Sequence, residues 1–366
     1  MGLKCGIVGL PNVGKSTLFN ALTASCSAEA ANYPFCTIEP NVGVVNVPDK
    51  RLDNLAKLAG SAKIIPAIVE LVDIAGLVAG ASKGEGLGNK FLSHIRQVDA
   101  IIQVLRCFED ENVTHVHNKV DPVYDVEIIN TELILADITS CEKRLSTIEK
   151  KAKSGDPEAK DTAAFLNILL KHLSEGLRAI EIDGFEQNSY LVADLNLLTA
   201  KPMLFVCNVL EDDAKSGNEY SKKLQEYAAT KQIGVIIVSA KIESEIALLE
   251  DENEKIAFMS DLGLEETGLN KIIKAGYEIL QLDSYFTIGP KEARAWTFKK
   301  GTTAPGAAGI IHTDFEKGFI RAEVIKYEDY NACGSEVIVK EQGKMRLEGK
   351  EYIVQDGDVI HFRFNV

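Results

Sequence analysis

The octapeptide Gly9-Leu10-Pro11-Asn12-Val13-Gly14-Lys15-Ser16 constrains this chain more than any other stretch, because it satisfies G-x-x-x-x-G-K-[ST] at every fixed position. The apolar run Lys4–Val8 precedes it and the helical pattern Thr17–Ala24 follows. In a strand-turn-helix setting, glycines let the backbone wrap a phosphate chain with its N–H groups pointing inward, and the helix N-terminus adds partial positive charge. Val13, Gly14 and Thr17 are then expected at the nucleotide, Lys15 at its β and γ oxygens as a catalytic charge, and Ser16 on Mg2+. Apolar runs at Val42–Val47, Ala67–Asp73, Ala100–Arg106, Pro202–Asn208 and Val235–Ser239 continue the pattern. They predict an α/β fold: a P-loop GTPase-like, mostly parallel sheet with helices on both faces.

Four further elements follow in the order such a fold needs. The strand ending at Asp73 leads into Ile74-Ala75-Gly76, so a carboxylate would lie near Mg2+ through water and the Gly76 N–H near the γ-phosphate. Thr37, in an irregular loop between these motifs, is the candidate for the threonine that completes the metal shell. Asn208-Val209-Leu210-Glu211 stands where GTPases of this fold carry N-K-x-D. The Lys is missing, and the longer Glu211 carboxylate is displaced from the point at which Asp meets guanine. Adenine in any case offers that acceptor only a lone pair at N1, so the discriminating contact to guanine weakens, while the Asn208 amide suits either purine. Ser239-Ala240-Lys241 then fits the remaining base loop. The glycine-rich run Gly80–Gly88 is expected to reorder with the phosphate state.

Hydrolysis needs an oriented water, and Leu77, one residue after Gly76, cannot polarise one. His94, His115 and His117 are the nearby candidates, each of which could equally be a packing or surface residue. The pairing of Leu77 with Asn12 resembles cation-dependent P-loop GTPases, and that resemblance implies that Asn12 helps hold K+, which would spread positive charge over the phosphates and stimulate turnover.

At 366 residues the chain exceeds the ~100–200 of one domain. Between the fourth and fifth sheet strands, Ile134, Ile138, Cys141, Leu145, Ile148 and Ala152 form one helical seam. Leu166, Leu170, Leu173, Leu177 and Ile180 form a second, with Ser154-Gly155-Asp156-Pro157 as the turn. An antiparallel hairpin follows, either a coiled-coil arm or an amphipathic pair packed on the main domain. From about Leu282 short β-branched and aromatic runs predict a small β-rich domain. The expected division is therefore a nucleotide-binding domain of 1–127 and 199–281, a helical insertion of 128–198, and a C-terminal domain of 282–366.

A net charge of −14 argues against a cationic nucleic-acid coat, so any RNA contact must be local. Lys291, Arg294, Lys299, Lys300, Lys317, Arg321 and Lys326, with Trp296 and Phe298 interleaved, could form such a face, as could Lys143, Arg144, Lys150, Lys151 and Lys153 on the hairpin. Solvated charge is the competing reading of both. Seven scattered cysteines without zinc spacing read as buried thiols in a reducing compartment, and no leader or membrane-spanning run is visible. A cytoplasmic protein, without membrane contact and monomeric, is the simplest expectation.

The stretches Gly6–Thr17, Asn32–Asn41, Asp73–Val78 and Gly84–Gly88 together closely resemble the YchF family, the Obg-like ATPases. The resemblance covers essentially the whole chain, including the tetrad ending in Glu211 and a segment, Ala295 to Arg321, similar to a TGS domain of ubiquitin-like fold. It implies a GTPase-fold protein that hydrolyses ATP to ADP and phosphate, GTP more weakly, and associates with ribosomes and ribosomal RNA. It also implies His115 as the replacement for the missing glutamine. Two alternatives stay open: an Obg-related GTPase in which Glu211 still reads guanine, and a nucleotide-gated adaptor for which hydrolysis is incidental.

Overall fold

The computed structural model describes residues 3–27, 41–74, 87–110 and 119–365, with side chains throughout except at 25–27 and 87–89. In chain order the first elements are β1 (Lys4–Val8), α1 (Lys15–Ser27), β2 (Val42–Asn46), α2 (Lys50–Ala59), β3 (Ile64–Ile65), β4 (Ile68–Asp73), α3 (Leu87–Arg96) and β5 (Ala100–Arg106). Then come α4 (Pro122–Lys153), α5 (Pro157–Ser174), α6 (Phe185–Asn188), β6 (Met203–Asn208), α7 (Glu219–Thr230), β7 (Gly234–Val238), α8 (Ala240–Leu248), α9 (Glu252–Asp261) and α10 (Gly268–Ile279). The last are β8 (Leu282–Ile288), β9 (Ala293–Lys299), α11 (Ala304–Ile311), α12 (Thr313–Lys317), β10 (Phe319–Lys326), α13 (Tyr327–Cys333), α14 (Glu336–Glu341), β11 (Arg346–Glu348) and β12 (Asp358–Phe364).

The chain divides into two compact units, Leu3–Gly43 with Glu70–Ile272, and Val44–Val69 with Ile273–Val366. The first carries a sheet of order β2-β4-β1-β5-β6-β7, in which β1, β4, β5, β6 and β7 run parallel. β5 and β6 are buried at every position, which is why they read as continuous apolar runs rather than alternating ones. Gln103 breaks the run within β5, a fully buried amide whose polar atoms have no hydrogen-bond partner among the described residues.

The predicted hairpin is present. Asp121 caps α4 by accepting from Tyr124 N, Asp156 caps α5 by accepting from Ala159 N, and a proline opens each helix. Gly155, at φ 98°, makes the turn between them. The seams meet in a core of Ile134, Cys141, Ile148, Phe165, Leu166, Leu169 and Leu173, against which Val192 and Leu197 also pack. Toward its N-terminus α4 packs on β5 and α7, burying Val126, Ile129 and Leu133. The second seam is shorter than its periodicity suggested: α5 ends at Ser174, Gly176 turns left-handed at φ 80°, and Ile180 lies exposed. Buried Asp137 ties the returning chain to α4 by accepting from Leu198 N, Thr199 N and Thr199 Oγ1 at 2.7 to 3.0 Å.

In the second unit the sheet order is β11-β10-β12-β8-β9-β3, with β8 and β12 parallel at its centre and antiparallel partners on either side. Tyr285, Phe298 and Phe362 form its core with Ala307 of α11, and Tyr285 donates to Ala307 O at 2.8 Å. Of the residues expected in the nucleotide domain, α2 and β3 belong here instead. β3 pairs with β9, and α2 packs on β8 and β9. Arg51 explains the attachment: its guanidinium bridges Asp49 at 2.8 Å and Asp356 at 2.6 Å while lying over the Phe286 ring. Phe298 is core rather than an exposed aromatic, and Lys300, Lys340, Lys344, Arg346 and Arg363 are each ion-paired. Of the basic face considered from the sequence, Lys300 pairs with Asp283 and the Arg294 guanidinium lies over the Trp296 ring.

Among the described residues Cys5, Cys107, Cys141 and Cys207 are buried free thiols and Cys333 is half-buried. Burial pushes the Cys5 and Cys141 thiols up to about 12, which keeps them protonated and unreactive. No described helix is long and apolar enough to cross a membrane.

Leu166 is fully buried and Ile180 is not. Leu166→Ala should lower unfolding stability by about 2–5 kcal/mol in a urea titration followed by circular dichroism, whereas Ile180→Ala should stay within about 0.5 kcal/mol.

Candidate nucleotide site

β1 lies between β4 and β5, and its C-terminal end opens into the turn Pro11–Gly14 before α1 begins at Lys15. Backbone geometry dictates residue choice there. Asn12 has φ 62° and Gly14 φ 91°, both in the left-handed region. A Cβ on Gly9 would stand 2.8 Å from Val104 O, and one on Gly14 would stand 2.2 Å from the Asn208 amide nitrogen. The turn therefore lies directly on β5 and β6. Lys15 is 9% exposed, and its ammonium pairs with the carboxylate of Asp73, the last residue of β4. Two of the expected phosphate-site and metal-site groups thus converge. Ser16 and Asp73 are hard oxygen donors, a set that suits Mg2+ rather than a softer metal.

The base loops are drawn together by one side chain. Asn208, at the end of β6 and 5% exposed, donates from Nδ2 to Val13 O and accepts at Oδ1 from Ala240 N, each at 2.9 Å. These contacts use one amide N–H and one oxygen lone pair, which leaves the expected reach of the amide to the purine open. Val209 N donates to Val238 O at 2.9 Å, and Glu243 caps α10 by accepting from Gly268 N and Leu269 N. Burial raises the Glu243 carboxyl against those two N–H groups. Glu211 and Lys241 form an ion pair across the loops. The hydrogen bond from Lys241 holds the Glu211 carboxyl below its ordinary range, so it is ionised.

These residues line a cleft of about 490 Å³ together with Asn12, Gly14, Thr17, Asn208, Val209, Leu210, Ser239 and Ala240. The Ser239 hydroxyl is buried there with no hydrogen-bond partner among the described residues. Phe108, Asp110 and Leu248 also line it and were not anticipated. Phe108 follows the central strand β5 by two residues, at the strand end where open α/β sheets bind ligands, and that position was its available signal. Arg106 shapes this loop by donating to Phe108 O at 3.0 Å and Asp110 O at 3.3 Å, with its guanidinium over the Phe108 ring. Leu248, at the far end of α8, carried no local signal. His94 is an exposed residue of α3. Thr37, Gly76, Leu77, His115 and His117 lie outside the described residues, as does Gly80–Gly86.

The fold and this cleft define a P-loop nucleotide-binding protein of the GTPase fold class. Residues 4–137 match the family model described as 50S ribosome-binding GTPase. Residues 282–365 match the YchF GTPase C-terminal model, described as a protein of unknown function. The chain is 58% identical to a Bacillus subtilis protein named ribosome-binding ATPase YchF and 57% identical to its Haemophilus influenzae namesake, each match covering 100% of both chains. A solved structure, the YchF GTPase of Schizosaccharomyces pombe, superposes with TM-score 0.89 at 39% identity, covering 99% of this chain and 98% of that one. The chain belongs to the YchF family.

Gly14→Ala tests the geometry directly, because the new Cβ meets both a forbidden φ and the Asn208 amide. Nucleotide affinity should fall at least about tenfold in isothermal titration, consistent with a lost backbone fit, while circular dichroism keeps its native helical signal.

Proposed function

We propose that this chain binds Mg-ATP at the P-loop cleft, hydrolyses it to ADP and phosphate, and uses the nucleotide state to control association with the ribosome. The observation that carries this reading is the convergence of Lys15 with the Asp73 strand tip beside a base cleft whose tetrad carboxylate is engaged by Lys241. Full-length relatives bearing the name ribosome-binding ATPase support it.

In this scheme Val13 to Thr17 hold the phosphates through backbone N–H groups, and the Lys15 ammonium offsets charge building on the β and γ oxygens. Mg2+, held by Ser16, Thr37 and, through water, Asp73, would supply charge neutralisation at the same oxygens. Gly76 senses the γ-phosphate through its N–H, His115 orients the attacking water in place of a glutamine, and Asn12 helps hold a stimulating K+. Val209, Leu210 and Ala240 line the purine, with Asn208 fixing the loops that receive it. Asn208 thus braces the base site and keeps a second amide N–H for the purine.

We read 1–127 with 199–281 as the nucleotide-binding domain by function, 128–198 as a coiled-coil insertion, and 282–366 as a TGS domain. The β9-β8-β12-β10-β11 order, with first and last strands parallel at the centre, supports a ubiquitin-like fold for the last. The protein is taken to work as a cytoplasmic monomer, with ribosomal RNA as the local nucleic-acid contact.

Titration of nucleotide-free protein with Mg-ATP and Mg-GTP checks the base assignment: tighter ATP binding is expected, and tighter GTP binding would overturn it. Lys15→Ala should reduce steady-state phosphate release by at least about a hundredfold, the scale of a lost transition-state charge. Turnover in matched KCl and NaCl should be faster in KCl. Equal rates would remove K+ from the scheme.

A further inference from the structure

Glu211 stands at the tetrad position from which N-K-x-D proteins read guanine, yet its carboxylate already has a partner. Glu211 opens the short turn after β6, and Lys241 is the second residue of α8 after β7. β6 and β7 are neighbouring parallel strands in register, with Asn208 opposite Val238, so both tips end at the same level beside the cleft. Glu211 Oε1 accepts from Lys241 Nζ. The Lys241 side chain is 67% exposed, so it is not packed into place, and the carboxylate orients it. Glu245, one helical turn further along α8, is a second acid near the ammonium.

We infer that Lys241 is a positioning residue for base selection: by engaging the Glu211 carboxylate it disfavours guanine and favours adenine. The inference rests on the adenine-preferring reading above. Guanine presents two donors, N1–H and the 2-amino group, and a carboxylate that receives both needs two available oxygens and its full negative charge. An ammonium on Oε1 takes one acceptor site and offsets part of that charge. Adenine presents a lone pair at N1, which an uncompensated carboxylate repels, and pairing with Lys241 relieves the repulsion. The two effects act in the same direction. Lys241 therefore alters the base preference through Glu211 rather than by a contact of its own with the purine.

The test measures Kd for Mg-ATP and Mg-GTP by isothermal titration on nucleotide-free wild type and on Lys241→Met, Lys241→Arg, Glu211→Gln and the Lys241→Met/Glu211→Gln double variant. Lys241→Met should move the ATP-to-GTP affinity ratio toward GTP by about threefold to tenfold, the scale of a solvent-exposed ion pair. Lys241→Arg should restore the wild-type ratio to within about twofold, because it keeps the positive charge. In the Glu211→Gln background Lys241→Met should leave the ratio unmoved, since the charge it acts on is gone. Thermal melting should be unaltered in the Lys241 variants, as expected for an exposed side chain. An unchanged ratio in Lys241→Met, or an equal shift with and without Glu211, overturns the inference. Failure of the parent reading looks different: wild type itself would bind GTP more tightly, and the Lys241→Met shift would still report whether the pair selects the base.

Discussion

The amide of Asn208 is the contact on which the nucleotide site depends. It donates to Val13 O in the phosphate turn and accepts from Ala240 N at the start of α8. One buried side chain thus fixes the spacing of three loops that are far apart in the chain. A buried amide left unpaired would cost about 1–3 kcal/mol, so both contacts are enforced by burial as well as by attraction. The same contact explains Gly14, since any side chain there would occupy the place of the Asn208 nitrogen. Below it, the parallel order of β4, β1, β5, β6 and β7 brings the functional loops to one edge of the sheet.

The remaining architecture stabilises and extends that edge. Arg106 uses backbone carbonyls to hold the Phe108 loop against the cleft, and Glu243 stitches α8 to α10. The hairpin has its own apolar core, and Asp137 anchors the chain returning from it through three hydrogen bonds. Burial raises the Asp137 carboxyl despite those bonds, so its pairing offsets the desolvation of the acid only in part. In the second unit, the Arg51 bridge to Asp49 and Asp356 joins α2 to a sheet formed mainly from the end of the chain.

Much of the first sheet was legible because its strands are short, apolar and separated by helical patterns. β1 and β5 begin and end where their apolar runs do, and β2, β4, β6 and β7 differ by a residue or so at their ends. The hairpin was legible from heptad spacing and from a Ser-Gly-Asp-Pro turn whose residues have specific backbone preferences. The second seam overran because Leu177 and Ile180 keep the spacing after Gly176 has already ended the helix. At the site, the phosphate turn and base tetrad were visible as motifs. Phe108 and Leu248 were not, because lining a cleft is a property of neighbours distant in sequence.

By itself, then, the sequence determined which local elements form and which groups the loops carry: a glycine turn with its lysine, hard-oxygen side chains, and a tetrad with Glu in place of Asp. Tertiary structure alone decided that β3 joins the C-terminal sheet and α2 packs on it, that Asn208 braces the loops, and that Glu211 meets Lys241. The physical reason is that periodicity and turn chemistry act over a few neighbouring residues. Strand pairing, ion pairing and close backbone approach depend on atoms brought together from 30 to 305 positions apart.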